Sequence, residues 1–181
     1  MSTPSMYRAV MEDAFDRLAV PVQDFHNFAG RHEFHGEVQV GAPASLPAKL
    51  LAFLLGAPMK AAQGIIRFEL HAEPNVETWI RFFPGKTMRS SLTKSGNRLT
   101  ERLGASSLTF ELLEVEGGLE MRLAKLHFFR IPCPGWLMPS VTARETGEAQ
   151  RLHFQIHASV PVIGMVASYT GHLDMPDKEL Q

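Results

Sequence analysis

Residues 76–83, with the sequence VETWIRFF, are the stretch whose residue types most clearly suggest chemistry, and a Pro84-Gly85 turn follows them. In a β-strand, side chains alternate between the two faces, so Trp79, Arg81 and Phe83 would share one face. An arginine between two aromatic residues is either a buried cation with a partner or the floor of a polar pocket. We expect Arg81 to fix a carboxylate or similar head group, because its planar guanidinium can form two parallel hydrogen bonds with one.

Three further residues are candidates for the same pocket. Arg144 and Glu145 lie with Trp136 in segment 131–147, which contains three prolines and which we expect to be an irregular loop. Long braced loops in compact domains often act as lids or binding loops. Tyr169 lies on the apolar face of the last expected strand, where its hydroxyl would need a buried partner. For each residue, a purely structural hydrogen-bonding role in a β core remains the alternative.

Other catalytic and metal-binding patterns are weak. The one cysteine, Cys133, lies between two prolines, where no helix N-terminus could lower its pKa. His32 and His35 lack the spacing of a zinc-binding helix, and His153 and His157 would be roughly 13 Å apart on a strand. No glycine-rich phosphate loop precedes a helix. We therefore expect no metal and no cofactor, and we leave catalytic residues unassigned.

Composition indicates an ordinary globular protein. The chain has 181 residues, 45% of them apolar, and a formal net charge of -1, which argues against a general nucleic-acid binder. We expect a single domain, 1–181, with a helical lead-in at 1–30, a sheet core at 31–174 and a frayed tail at 175–181. The acidic residues near the N-terminus do not fit a signal peptide, so a cytoplasmic location without a transmembrane segment is expected.

Two helices are predicted in the first third of the chain. Thr3 and Pro4 precede an apolar stripe with helical spacing that runs to Leu18, and Pro21 is expected to end this first helix. Ser45 then caps a second helix, 46–55, which Gly56 follows. Because leucines and phenylalanine surround this second helix nearly completely, we expect it to be buried.

From Gly64 onward the apolar period changes to two, which is typical of strands. With an early strand at 34–40, about eight antiparallel strands follow one another along the chain. Laid flat, such a sheet would leave exposed edges, and strong curvature or closure removes them. We therefore predict an α+β fold with a curved antiparallel sheet or barrel and two N-terminal helices. A flat sheet with helices on one face is the competing architecture.

One segment is locally basic. Between Arg81 and Arg102 the chain has six basic residues and only Glu101 as an acid. This segment could attract an anionic ligand, a cofactor phosphate on a partner or an acidic membrane surface. The favoured alternative is a solvated face paired with glutamates of later strands: Glu111, Glu114, Glu116 and Glu120.

Three motifs stand in a distinctive order: WxRxF at 79–83, PGWLMP at 134–139 with ARE at 143–145, and PVIG at 161–164 with YTGHL at 169–173. Together they resemble an uncharacterised bacterial family, domain of unknown function 4166, from about Phe34 to Leu173. In that family the domain occurs alone or fused to a saccharopine dehydrogenase-like, nicotinamide-binding domain. The resemblance implies association with a reductase rather than a defined activity. Val160 departs from the family pattern, which has a histidine before the final proline.

The leading functional hypothesis is a binding module. A β cup with room for a small apolar or amphipathic ligand would have Trp79, Phe83 and Tyr169 as walls and Arg81 as the anchor of an acidic head group. Two alternatives remain open. The chain could dock on a separate nicotinamide-dependent reductase through its basic segment, or it could be a small acid/base enzyme that uses Arg144, Glu145 and Tyr169 in the same pocket.

Overall fold

The computed structural model describes residues 4–176 and consists of one antiparallel sheet with three α-helices. The helices are α1 (Met6–Met11), α2 (Val20–Asn27) and α3 (Leu46–Leu55). The strands, in chain order, are β1 (Gly30–Gly41), β2 (Ala62–Glu73), β3 (Val76–Phe83), β4 (Lys86–Ser95), β5 (Arg98–Leu103), β6 (Ser106–Val115), β7 (Gly118–Phe128), β8 (Ile131–Pro132), β9 (Ser140–Glu148), β10 (Arg151–Val160) and β11 (Gly164–Asp174). Among these residues, no helix is long and apolar enough to cross a membrane.

The sheet closes into a barrel. Its strands follow the order β6-β5-β4-β3-β2-β1-β11-β10-β9-β7, and β7 also pairs with β6, so ten strands form a complete ring. The short strand β8 pairs only with the end of β7 and lies outside the ring. The predicted α+β class with an antiparallel barrel is confirmed, and the ring has more strands than the eight expected. Closure gives each long strand two partners, which removes exposed sheet edges.

Strand β9 accounts for part of the difference. Segment 131–147 was expected to be an irregular loop, but only its first part is irregular, with a 3₁₀ turn at Gly135–Leu137. From Ser140 onward the chain pairs with β10, and residues 142–145 pair with β7 on the other side. The expectation of a loop at Arg144 and Glu145 is wrong, because beyond the last proline two neighbouring strands supply partners for the backbone.

The helical lead-in is divided into three pieces. Ser5 caps α1 by accepting a 3.2 Å hydrogen bond from the Arg8 N–H, and a 3₁₀ turn at Glu12–Arg17 follows. The predicted cap, Thr3, lies outside the described residues. Pro21 lies in the first turn of α2 instead of ending the first helix, because backbone N–H groups in the first turn have no partner within the helix and a proline there loses no hydrogen bond. Phe25 and His26, both in α2, are buried.

Helix α3 has the predicted bounds but not the predicted burial. Ser45 caps it, and Gly56 ends it in the left-handed conformation with φ +69°. Only Ala48 and Ala52 are fully covered, whereas Leu46, Leu50 and Phe53 have exposed fractions of 79%, 61% and 61%. The expectation of a buried helix is wrong, because α3 lies across one end of the barrel and its outer face meets no other part of residues 4–176.

The two ends of the barrel are therefore closed differently. At the α2 end, the Ala19 N–H donates a 2.7 Å hydrogen bond to the Gly117 carbonyl in the β6–β7 turn. At the α3 end, the Ala105 N–H in the β5–β6 turn donates a 3.3 Å bond to the Leu54 carbonyl of α3. Beyond the last strand, Met175 is buried and bonds to Gln150 through its N–H, while residues 177–181 of the expected frayed tail lie outside the described chain.

Gly104 sets how closely α3 approaches the barrel. A Cβ atom at this position would lie 2.3 Å from the Leu54 carbonyl oxygen, and the backbone has φ +55°. Gly96, in the β4–β5 turn, has a similar φ of +63° but nothing within 4 Å of such a Cβ. Alanine at Gly96 would therefore introduce backbone strain alone, whereas alanine at Gly104 would introduce the same strain and a close contact with α3.

We expect Gly96→Ala to lower the free energy of unfolding by about 1–2 kcal/mol, the cost of a left-handed alanine. Gly104→Ala should cost roughly 1–3 kcal/mol more, because the methyl group must push α3 away from its seat. Urea unfolding of both variants measures the difference. Equal losses would show that α3 can shift at no cost.

Candidate functional site

A cavity runs along the barrel axis from Phe25 of α2 to Leu55 and Ala57 at the α3 end. The cavity has a volume of about 120 Å³. Its walls are mainly aliphatic and aromatic side chains from the inward faces of the strands. Three ionisable residues and one tyrosine interrupt this apolar lining: Arg81, Glu101, Glu145 and Tyr169.

Arg81 is a buried cation with one acidic partner. Its side chain leaves β3 between Phe68 and Met88, the residues opposite it on the neighbouring strands. One Nη donates to Ser90 Oγ at 3.1 Å, and the other reaches Glu101 Oε1 at 3.4 Å. Burial works to lower the pKa of Arg81, but the nearby Tyr169 and Glu101 outweigh it and raise that pKa. The guanidinium therefore remains charged inside the barrel.

Arg81 also lies against aromatic rings. Its guanidinium carbon is 4.9 Å from the centre of the Trp79 ring and 5.7 Å from that of Phe68. Such contacts stabilise a cation that has lost its water, by up to about 2 kcal/mol at a desolvated site. Of the five N–H donors of a guanidinium, two have acceptors, so three are without an acceptor among residues 4–176.

Tyr169, on β11, lines the same cavity as Arg81. Burial raises the pKa of Tyr169, Arg81 acts against that rise, and Glu101 and Glu145 add to it. The phenol is therefore neutral at physiological pH and can donate a hydrogen bond. In the described chain its hydroxyl has no hydrogen-bond partner. The Phe83 ring does not line the cavity but packs edge-on against Tyr169, with ring centres 5.1 Å apart.

Glu145 is held from below by a histidine of α2. His26 Nε2 and Glu145 Oε2 are 2.6 Å apart, and both side chains are buried. The other ring nitrogen, Nδ1, is buried without a partner in the described part of the chain. Because an orphaned N–H costs more than an orphaned lone pair, we assign the proton to Nε2, which donates to the carboxylate. Glu145 thus reaches the cavity wall with one oxygen already engaged.

A second buried carboxyl group lies beside this pair. Glu77 Oε2 accepts a 3.0 Å hydrogen bond from Trp79 Nε1, and the residue is 4% exposed. Burial raises the pKa of Glu77, while His26 and the Trp79 hydrogen bond lower it by less. Tyr7 of α1 stacks on His26 with ring centres 3.6 Å apart, and burial raises the pKa of Tyr7 well above its ordinary value. The α2 end of the cavity therefore rests on a layer of buried polar groups.

The structure brings four of the six predicted site residues to the cavity: Trp79, Arg81, Glu145 and Tyr169. Phe83 lies behind Tyr169. Arg144 does not reach the cavity, because residues that are adjacent in strand β9 point to opposite faces. Its Nη2 lies 3.7 Å from Glu116 Oε2, and its side chain is 41% exposed on the barrel exterior. That these residues bind a ligand stays a prediction.

Several polar residues of the site were not singled out from the sequence. Glu77 shares the alternating face of Trp79 and Arg81, and Glu101 shares that of Leu99 in β5, so alternation alone could have placed both inside. His26 had no comparable signal, because its helix was expected to end at Pro21. Its partner Glu145 is 119 residues away in sequence.

The basic segment is only partly neutralised by glutamates of later strands. Arg98 pairs with Glu111, as that alternative expected, and Arg81 pairs with Glu101. Glu114, Glu116 and Glu120 pair instead with Arg17, Arg144 and Arg122. Lys86, Arg89 and Arg102 form no ion pair with any residue in 4–176. A group of unpaired cations therefore remains on this side of the barrel.

Comparison with known proteins identifies the family. The family described as Domain of unknown function (DUF4166) matches residues 18–173, which is most of the chain. The chain belongs to this family. No curated protein matches. Among solved structures, the crystal structure of Rv2717c from M. tuberculosis is similar, with a TM-score of 0.49 and 8% sequence identity over 88% of this chain and 99% of that one.

Membership of DUF4166 agrees with the resemblance carried by the three motifs. It assigns no ligand, partner or reaction to the barrel. Fusion to a saccharopine dehydrogenase-like domain and a separate reductase partner both stay predictions. Within residues 4–176, no group of three or more His, Cys, Asp or Glu side chains could hold a metal ion.

Removing the Arg81 guanidinium should destabilise the barrel through the carboxylate it leaves behind. We expect Arg81→Met to lower the free energy of unfolding by about 3–5 kcal/mol, because Glu101, in a largely buried position, loses the cation with which it is paired. Arg81→Met/Glu101→Leu should recover most of that loss. Urea unfolding tests this, with Arg122→Met as the control, since its exposed pair should contribute at most about 1 kcal/mol. Absence of recovery in the double variant would contradict the pairing.

Glu77 should make stability depend on pH. Because its folded-state pKa is raised, the protonated form is favoured in the fold, and stability is lost as pH rises from the ordinary value of 4.5 towards that higher pKa. Glu77→Gln keeps an acceptor for Trp79 but removes this titration. The melting temperature of the wild type relative to Glu77→Gln should fall between pH 4.5 and pH 8. Glu148→Gln, at an exposed site, is the control and should show no such trend.

Proposed function

We propose that this DUF4166 domain binds a small amphipathic molecule inside its barrel, with an apolar body along the axis and an acceptor group, such as a carboxylate, at Arg81. The observation that carries the proposal is a buried guanidinium with unused N–H donors at the wall of an otherwise apolar cavity. A ligand acceptor at this point would form additional charge-assisted hydrogen bonds with the guanidinium.

The size of the cavity limits the ligand. One water molecule needs roughly 10–15 Å³ by the same measure, so a volume of about 120 Å³ fits on the order of ten non-hydrogen atoms. A medium-chain fatty acid or a single-terpene acid has this size. A dinucleotide cofactor is too large to enter unless the barrel opens.

The polar end of the site favours an acid over an alcohol. Arg81 supplies charged donors and the neutral phenol of Tyr169 supplies another, and hydrogen bonds to charged groups are worth about 1.5–3 kcal/mol. Glu101 opposes a second negative charge, because it already shares the guanidinium. An acid that binds would displace the Arg81–Glu101 contact or share the cation with it, as planar guanidinium groups allow.

Calorimetric titration with matched probes tests the proposal: octanoic acid against octanol, and geranic acid against geraniol, with NADPH as the oversized probe. We expect each acid to bind at least about tenfold more tightly than its alcohol. Tyr169→Phe should weaken acid binding several-fold with little effect on the alcohols. Native mass spectrometry of the protein as purified would show any ligand that is already bound.

Two substitutions on neighbouring residues of β9 provide the control. Ala143→Phe places a ring in the cavity and should abolish binding of every probe, whereas Thr142→Phe places the same ring on the exposed outer face and should leave binding unchanged. If no probe binds, or if both variants bind as the wild type does, the proposal fails.

An acid/base enzyme in the same cavity is the second candidate, and the short His26–Glu145 contact favours it. Glu145 lines the cavity, and His26 behind it donates a hydrogen bond that fixes the position of the carboxylate. A bound acid recovered chemically unchanged after long incubation would count against this candidate. Turnover that Glu145→Gln abolishes without loss of binding would support it.

A further inference from the structure

The large exposed apolar side chains are concentrated at one end of the molecule. Of the ten in the described chain, nine lie on α3, in the loop after it, or at strand ends and turns beside it, and only Val20 lies at the α2 end. Scattered exposed apolar residues are normal on protein surfaces, but a large contiguous group marks an interaction site. The clustering at the α3 end therefore requires an explanation.

Backbone contacts show that these segments form one rim. The Ser45 hydroxyl donates to the Ile163 carbonyl, which places the start of α3 beside the β10–β11 turn and Val162. At the other end of α3, Leu54 bonds to Ala105, and the Ala105 carbonyl in turn accepts from the N–H of Phe129. Leu46, Leu50 and Phe53 of α3 therefore lie between two turns that carry exposed apolar residues of their own.

Outward-facing carboxylates are sparse towards the same end of the described chain, although Glu37 is exposed and lies opposite Ile65 in the β1–β2 register. Aspartate and glutamate are absent from every segment that turns there: 38–68, 78–100, 102–110, 121–144 and 149–173. Glu101, which separates 78–100 from 102–110, lines the cavity and pairs with Arg81. Apart from Glu37, the carboxylates of the described chain thus lie at the α2 end, in its half of the barrel or in the interior.

Cations at the α3 end are left unpaired as a result. Five of them lie on α3 or beside a loop or turn at this end, and none forms an ion pair with another described residue: Lys49, Lys60, Lys86, Arg102 and Arg130. Towards the α2 end the cations are mostly matched, as in Arg17–Glu114 and Arg151–Asp174. The barrel is therefore polarised along its axis despite a net charge of -1.

We propose that the α3 end binds peripherally to an anionic lipid bilayer, with α3 lying in the interface. Leucine, phenylalanine and tryptophan in the headgroup region, with lysine and arginine around them, are the residues that hold amphipathic helices at such surfaces. Each basic residue near an anionic surface adds on the order of fivefold to the affinity. Exposed Leu50, Phe53 and Trp136 supply the apolar part, and the five unpaired cations supply the charge.

A second copy of the chain fits this surface less well. Two α3 ends facing each other would bring the unpaired cations of both copies together, and like charges that face each other across an interface oppose association. An anionic bilayer matches the apolar rim and the surrounding charge together.

If the barrel binds an amphipathic ligand, as proposed above, docking at the α3 end would place the cavity next to the bilayer. Leu55 and Ala57, which line the cavity, belong to α3 and the residues just after it. An amphipathic ligand could therefore pass between the bilayer and the barrel beneath α3. The docking itself needs no ligand, so it is measured on protein without added acid.

Vesicle binding tests the proposal directly. Vesicles of phosphatidylcholine and phosphatidylglycerol in a 70:30 ratio should sediment the protein, and pure phosphatidylcholine vesicles should bind it at least about tenfold less well. Trp136 is 79% exposed and Trp79 is 6% exposed, so the intrinsic fluorescence should shift to the blue only through Trp136. Trp136→Phe should remove that shift.

Matched variants at the two ends give the controls. Leu50→Ser/Phe53→Ser should weaken binding to the anionic vesicles at least about tenfold, because it removes two apolar side chains that the bilayer would bury. Val20→Ser, at the α2 end, should not. Lys49→Gln/Lys60→Gln should weaken binding by roughly tenfold or more and reduce its dependence on salt. Arg31→Gln/Lys94→Gln, which removes the same charge at the α2 end, should have little effect.

Three results would overturn the proposal. These are no sedimentation with either vesicle, equal losses in the variants of both ends, or a concentration-dependent dimer in analytical ultracentrifugation that Leu50→Ser/Phe53→Ser disperses. The dimer would assign the rim to a second copy of the chain. Acid binding in solution is measured separately, so the failure of docking leaves the proposed ligand site untouched.

Discussion

Closure of the sheet through β7 is the constraint on which the rest of this molecule depends. Strand β7 pairs with β6 along its length and with β9 on its other side, and this joins the two halves of the sheet into a ten-stranded ring. The diameter of a barrel grows with the number of strands, and about eight already leave room for a small ligand. Ten strands therefore give an interior that side chains do not fill, and the cavity follows from that.

The ends of the ring decide how the interior is used. At the α2 end, α1 and α2 bring Tyr7 and His26 under the cavity, where they meet Glu77 and Glu145. Hydrogen bonds from His26 and Trp79 stabilise the two carboxyl groups, whereas the Tyr7 hydroxyl and His26 Nδ1 have no partner in residues 4–176. At the α3 end the covering is a single helix that contacts the barrel through alanines, and the surrounding surface is apolar and basic. One end of the cavity is thus closed by buried polar side chains, and the other is closed by a single helix with an apolar outer surface.

Much of the secondary structure could be predicted because local rules governed it. The strand β3 matched its alternation, and α3 matched its capping serine and terminal glycine to the residue. Predictions of secondary structure failed where one local sequence signal was compatible with two different structures. Pro21 fits both the end of one helix and the start of the next, and only the packing of Phe25 and His26 in the core selects the second. Strand β9 follows a proline-rich stretch, and its pairing partners decide its conformation.

The amino-acid sequence alone predicted that Trp79 and Arg81 share one strand face, that the fold is a curved antiparallel sheet or barrel with helices, and that the chain resembles DUF4166. It did so because strand periodicity and motif order are properties of the chain alone. Tertiary structure decided that Arg81 meets Glu101, that His26 holds Glu145, and that the leucines of α3 face outward. These depend on how distant strands close around a common axis, and the barrel's closure, not any local preference, sets those distances.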